Sequence, residues 1–318
     1  MKIVYMGSPA SAVKPLAYLL EHLGDEHELL GVVSQPAKLV GRGRKKAPQD
    51  PPVAQYAKDK HLAVLQPDKA RDQSFLDELR EWAPDLIVTC AYGQILSEEF
   101  LKIPKRGTIN IHPSRLPLFR GATPIPAALL AGETVTAVTI LFTVRALDAG
   151  NIIIQKDFAI DKDETAAALT DRLFYESGPL LMEAIAKLED DRFLGVEQDE
   201  SQVVHCRKIY KNQGFVDWNA PANEIYNKFR AFFPWPGTYT FLAGKRVVIE
   251  DMVLSPCDIE TTDEQVLAGS SFFDKKAELI VVKTGDGYIG LKQLKASGSK
   301  SCNAKSFWNG HCSKVFKS

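Results

Sequence analysis

No run of about 18 apolar residues occurs anywhere in this chain, so nothing in it reads as a membrane-crossing helix. The cysteines do not form a disulfide framework. Cys90, Cys206, Cys257, Cys302 and Cys312 are an odd number without paired spacing, which suits a reducing cytoplasm. The histidines, His22, His27, His61, His112, His205 and His311, share no metal-ligand spacing, and no metal is expected. The first apolar run ends in Gly7-Ser8-Pro9-Ala10-Ser11 rather than Gly-x-Gly-x-x-Gly, which argues against a dinucleotide site. There is no internal repeat and no low-complexity tract. Residues 1–7 are strand-like and too short for a signal peptide. A strong net charge is also missing. The formal value is −1, although residues 207–318 hold 16 Lys and Arg against 11 Asp and Glu, and the remainder 23 against 29. That asymmetry is too mild by itself to imply nucleic acid.

What is present is an alternation of two periods. Residues 2–7, 29–34, 63–66, 85–91 and 107–112 read as strands, with helical patterns over 10–23, 53–60 and 73–82 between them. Such βα alternation predicts a mostly parallel sheet with helices on both faces. A further buried strand is expected at 137–144, and a long helix over 164–188. A polar, acidic stretch then leads to a helix over 225–232, stopped by Phe233-Pro234-Trp235-Pro236. Strand patterns follow at 238–241, 245–254, 278–284 and 287–294. The expected fold class is α/β: a Rossmann-like domain over 1–190, a linker over 191–206, and an OB-like β-barrel over 207–318.

Residues 107–121 carry most of the chemistry. Asn110 and His112 are two apart in a strand, so their side chains leave one face, at the strand's C-terminal end. Open α/β sheets place their ligands there. An imidazole can move a proton near neutrality, and an amide can donate to a developing oxyanion. Spacing alone favours a structural role for such a pair. Asp148-Ala149-Gly150, alone, reads as an ordinary turn.

The run Asn110-x-His112, Ser114-Arg115-Leu116-Pro117 and Arg120-Gly121, with Asp148-Ala149-Gly150 downstream, resembles the signature of the 10-formyltetrahydrofolate-dependent formyltransferases. Arg115 stands where that family usually has Leu, and Asn151 where many members have Asp or Pro. The resemblance implies that Asn110, His112 and Asp148 are catalytic. It further implies that Ser114, Arg115, Leu116 and Pro117, with Gln94, Ile95 and Leu96, hold the folate co-substrate. Transfer of a formyl group to an amine passes through a tetrahedral species with a negative oxygen. Asn110, with His112 when protonated, would stabilise that oxygen, while Asp148 would orient the imidazole and favour its charged form.

Residues 38–46 hold five basic residues in nine positions, punctuated by Gly41 and Gly43, with no apolar periodicity. Such a run is usually a solvated loop. Here it follows the second strand, on the edge expected to hold the site. It resembles the basic insertion of the family branch that acts on charged initiator tRNA. That likeness implies phosphate contacts from Arg42, Arg44, Lys45 and Lys46. Asp217-Trp218 and the Pro-Trp-Pro corner extend the resemblance into the second half. The implied protein is a cytoplasmic monomer that formylates the α-amino group of methionyl initiator tRNA. The alternatives are a sugar-nucleotide or glycinamide formyltransferase on the same scaffold, which would not need the basic loop, and an RNA-binding protein with an inactive enzyme domain.

Overall fold

A computed structural model describes residues 1–40, 47–254, 266–311 and 316–317. These group into two units. The first comprises Met1–Pro124, Val135–Ala159 and Thr170–Cys206. Its strands are β1 (Lys2–Gly7), β2 (Glu28–Val33), β3 (Lys38–Val40), β4 (Ala47–Gln49), β5 (Val64–Leu65), β6 (Leu86–Cys90), β7 (Thr108–His112), β8 (Arg120–Gly121), β9 (Val135–Phe142), β10 (Ile152–Ala159) and β11 (His205–Cys206).

Seven of these form one sheet in the order β10-β9-β7-β6-β1-β2-β5. From β7 to β5 the strands run parallel, while β9 and β10 close the other edge antiparallel. The central strands β1 and β6 are almost wholly buried, which is why they read as continuous apolar runs and not as alternating ones. Helices Gln73–Trp82 and Glu98–Leu101 bury Phe75, Leu76, Leu79 and Phe100 against Val4, Val33 and Ile87. The chain winds outward from β1 to β5, then returns to place β6 on the other side of β1. That reversal opens a crevice beyond the strands' C-terminal ends, where Gly7, Cys90 and His112 lie.

Three features differ from the sequence reading. The strand expected at 137–144 runs two residues earlier. An edge strand, β10, follows it; its half-buried mixture of apolar and charged residues gave no clean period. The stretch read as a loop around the basic run is in part an antiparallel ribbon, because β3 pairs with β4. Leu39 and Val40 are exposed there, so burial offered no pattern to read.

The second unit comprises Ile125–Thr134, Ile160–Leu169 and Arg207–Ser318. Its strands are β12 (Thr238–Leu242), β13 (Lys245–Leu254), β14 (Ser271–Asp274), β15 (Leu279–Lys283), β16 (Tyr288–Ala296), β17 (Cys302–Asn303) and β18 (Phe316–Lys317). They make one antiparallel sheet, in the order β14-β15-β16-β13-β12-β18 with β17 beside β16. Helix Ala222–Phe232 lays Ile225, Tyr226 and Phe229 into a core of Trp218, Ile249, Leu291 and Phe307. The Tyr226 hydroxyl donates to Asp163, and Arg230 to the carbonyls of Asp161 and Glu164. These bonds tie residues 160–169, read from sequence as part of 1–190, to the second unit. Residues 191–206, read as a linker, group with the first. Among the described residues, no helix is long and apolar enough to cross a membrane.

Candidate active site

The parallel pairing of β6 with β7 sets Thr89 opposite Asn110. The buried Thr89 hydroxyl lies 2.9 Å from Asn110 Oδ1 and 2.9 Å from the Ile109 carbonyl. A proton given to Oδ1 leaves the Asn110 amide nitrogen as the outward donor, 3.5 Å from Asp148 Oδ1. His112, 4% exposed, leaves the same face of β7. Its Nε2 is 3.1 Å from the carbonyl of Phe119. A carbonyl only accepts, so Nε2 carries the hydrogen, and Nδ1 is the nitrogen facing Asp148 Oδ2 at 3.7 Å.

Burial pushes the His112 pKa below its ordinary value, against the opposing pull of the Asp148 anion and the Phe119 carbonyl. The sequence reading expected Asp148 to win and favour the charged ring. Desolvation is the larger effect, because the imidazole is enclosed on all sides. The downward direction favours the neutral ring, in which Nδ1 is the nitrogen that accepts a proton. Asp148 is placed to stabilise the cation once it forms.

Asp148 lies in a tight loop. Its own backbone is left-handed, at φ +53°. Its Oδ2 accepts from the Gly121 N–H at 2.9 Å. Glycine is required twice nearby. A Cβ on Gly150 would sit 1.8 Å from the Phe142 carbonyl oxygen, and Gly121, at φ +128°, would meet the Cys206 carbonyl oxygen at 2.2 Å. Asn151, the departure noted in the sequence, donates from its side chain to the Leu194 carbonyl at 2.9 Å.

The loop after β7 is built from within. Ser114 is fully buried and donates to the Leu118 carbonyl, while Thr139 donates to the Ser114 carbonyl. Gln155 donates to the Leu116 carbonyl. Leu116 is buried, Pro117 half-buried, and exposed Arg115 pairs with Asp157 at 3.1 Å. Ser114 and Leu116 are thus committed to the loop's own framework. Gln94 is similarly engaged: it accepts from the Ala70 N–H and donates to the Asp68 carbonyl. Leu96 packs on the core, whereas Ile95 is 92% exposed after the C-terminal end of β6. Tyr92, in the same turn, accepts at its carbonyl from Gln35 and Ser8.

Asn110, His112 and Asp148 therefore converge although 38 residues separate Asn110 from Asp148. Arg42, Arg44, Lys45 and Lys46 lie outside the described residues. Sequence reasoning missed Thr89, which hides in an apolar strand, and Gln198, which donates to the carbonyls of Asp148 and Gly150 from a stretch without periodicity. Among the described residues, Glu26, His27 and Glu189 also cluster with ligand atoms within 4.8 Å, at the opposite, N-terminal edge of the sheet.

An open α/β sheet with an amide, an imidazole and a carboxylate at its C-terminal edge is the arrangement of a formyl transferase. The family model described as formyl transferase matches residues 1–185, and that described as formyl transferase, C-terminal domain, matches 208–312. Relatives extend over the full length. The methionyl-tRNA formyltransferase of Ruminiclostridium cellulolyticum is 33% identical over 311 residues, covering 98% of this chain and 97% of its own. That of a Geobacillus strain is 37% identical over 313 residues, covering 98% and 94%. The chain belongs to the methionyl-tRNA formyltransferase family. Solved structures agree on the fold. WlaRD, a sugar 3N-formyl transferase crystallised with dTDP and 5-N-formyl-THF, superposes with a TM-score of 0.65 at 18% identity, covering 94% of this chain and 99% of that one. HypX from Aquifex aeolicus, in complex with tetrahydrofolic acid, gives 0.63 at 18% identity, and this chain spans 48% of its length.

Proposed function

We propose that this protein moves the formyl group of 10-formyltetrahydrofolate to the α-amino group of methionine on initiator tRNA, with Asn110, His112 and Asp148 as the catalytic residues. The observation that carries the mechanism is the buried His112 with Nε2 on the Phe119 carbonyl and Nδ1 turned toward Asp148 Oδ2 at 3.7 Å. The amine nitrogen attacks the formyl carbon and a C–N bond forms. The Asn110 amide, fixed by Thr89, donates to the oxygen that becomes negative. His112 Nδ1 accepts the proton leaving the amine, and the imidazolium is then paired with Asp148. That proton is returned to the folate nitrogen as its bond to the formyl carbon breaks.

The lowered His112 pKa bears on the acceptor. A weak base needs an amine that is already largely neutral. An α-amino group, with a pKa of about 7.7–8.0, meets that need far better than a lysine-type amine at about 10.4. Exposed Ile95 offers an apolar face for a flat ring and Arg115 and Pro117 face the folate beside it, while Ser114, Leu116, Gln94 and Leu96 act on the co-substrate indirectly, by holding the two loops that carry them in shape. Arg42, Arg44, Lys45 and Lys46 supply the phosphate contacts to the acceptor stem, as the composition of the basic run suits. The enzyme acts as a cytoplasmic monomer. Free thiols at Cys90, Cys206 and Cys302, with Cys90 pushed up to about 12 by burial, suit that compartment.

The test is acceptor choice. Labelled formyl should pass to charged initiator tRNA, and not to charged elongator tRNA, an amino-sugar nucleotide or glycinamide ribonucleotide. Preferred transfer to either small amine would replace this reading with the alternative on the same scaffold.

A further inference from the structure

We propose that residues 194–206 form a strap that positions the Asp148 loop, with the Gln198 side chain as the positioning group; the inference rests on the catalytic reading of Asp148. Every hydrogen-bonding atom of the Gln198 amide is engaged. Its Nε2 donates at 2.8 Å to the Asp148 carbonyl and at 2.8 Å to the Gly150 carbonyl. Its Oε1 accepts from Arg120 Nε at 3.0 Å. Carbonyls only accept and a guanidinium only donates, so one orientation of the amide satisfies all three partners. Arg120 is buried, and its other nitrogens fork onto the Glu200 carboxylate at 2.7 and 3.2 Å. The resulting chain is Glu200 to Arg120 to Gln198 to the two carbonyls that flank Ala149.

The backbone is stitched on both sides. Ile152 and Val196 exchange two hydrogen bonds, and Arg120 donates its N–H to the Val204 carbonyl. The strap thus grips the loop carrying Asp148 and also the loop carrying the Phe119 carbonyl and Gly121 N–H. Those are the groups that fix both nitrogens of His112 in relation to Asp148. Asp148 is left-handed at φ +53°, a conformation that a non-glycine residue keeps only when its surroundings impose it. Gln198 supplies that constraint from a strap side chain that bonds the Asp148 and Gly150 carbonyls directly, whereas the Asn151 side chain bonds the strap at Leu194 and the remaining ties are backbone bonds that many sequences could form. Residue 207, where the second unit's main segment begins, follows the strap directly.

The experiment compares Gln198→Ala, Gln198→Glu and Asp148→Asn with the wild type in the full-length enzyme. It reads kcat, the KM for 10-formyltetrahydrofolate, the pH profile of kcat and the melting temperature. Freeing the loop should cost about tenfold to a hundredfold in kcat, the loss that a displacement near 1 Å produces, with little change in folate KM. Asp148 raises the His112 pKa, so letting it drift away should move the acid limb to lower pH. A merely structural role would lower the active fraction equally at all pH values. Gln198→Glu keeps the acceptor for Arg120 but sets a carboxylate against two carbonyls, so it should be impaired at least as much as Gln198→Ala. Folded Gln198 variants with wild-type kcat and an unmoved acid limb would overturn the strap, as would full activity of Gln198→Glu. An active Asp148→Asn would instead overturn the catalytic reading.

Discussion

Replacing Gly150 with Ala tests the site through a single methyl group. The added Cβ would lie 1.8 Å from the Phe142 carbonyl oxygen, inside any permitted contact. Phe142 cannot yield easily. It ends β9, which is paired on both sides, and its N–H is held by the Asn151 carbonyl at 2.9 Å. The Asp148 loop must therefore move by roughly 1 Å, and a displacement of that size at a catalytic group costs on the order of 10² in rate. That corresponds to about 2.7 kcal/mol of lost transition-state stabilisation. The fold should survive, because the loop is half exposed and its strands remain paired. Steady-state kinetics on charged initiator tRNA, alongside thermal melting, separate the two effects. The expected result is a fall in kcat of about 10² with folate KM within a few-fold and a clear cooperative melt. A folded Gly150→Ala enzyme with wild-type kcat would show that Asp148 tolerates displacement. It would refute the argument that its position relative to His112 matters.

Four further outcomes are expected. His112→Ala should lose about 10²–10⁴ in kcat while retaining folate binding, measured by fluorescence titration; in the wild type, the acid limb of kcat should lie below the ordinary histidine value. His112 also lends a pH dependence to stability. Its folded pKa is depressed, so as pH falls through the ordinary value of about 6.5 the unfolded chain takes the proton first, and stability contributed above that pH is lost. Denaturant midpoints at several pH values would read this slope, and His112→Gln should remove it. Asn110→Ala should lose about 10²–10³ in kcat, as for an oxyanion donor, and near-normal turnover would exclude that role. Neutralising Arg42 and Arg44 together should weaken tRNA use and flatten its salt dependence with folate affinity unchanged; a wild-type salt slope would count against phosphate contacts from this run.

The order of elements in the first unit was legible because its signals are local. Buried parallel strands such as β1 and β6 are short apolar runs, and helix Gln73–Trp82 repeats its apolar residues at helical spacing. β10 was not legible, since an edge strand with one half-buried face blurs the two-residue period. Asn110 and His112 could be paired from sequence because a strand's alternation puts residues two apart on one face. Their likeness to a family motif drew Asp148 in. No local rule could set Asp148 opposite His112, because that contact depends on β9 packing antiparallel against β7.

The amino-acid sequence by itself determined the two-part organisation, the strand carrying Asn110 and His112, and the glycine that Asp148's loop demands, since each follows from periodicity or backbone sterics over a few residues. Only the tertiary structure decided the direction in which the His112 pKa moves, because desolvation depends on every element packed around the ring and here outweighs the opposing pull of Asp148. It also turned the polar stretch 194–206 from an apparent linker into a strap. The polar side chains of Gln198 and Glu200 have no pattern to detect, and they find partners only once β8 and β11 lie side by side.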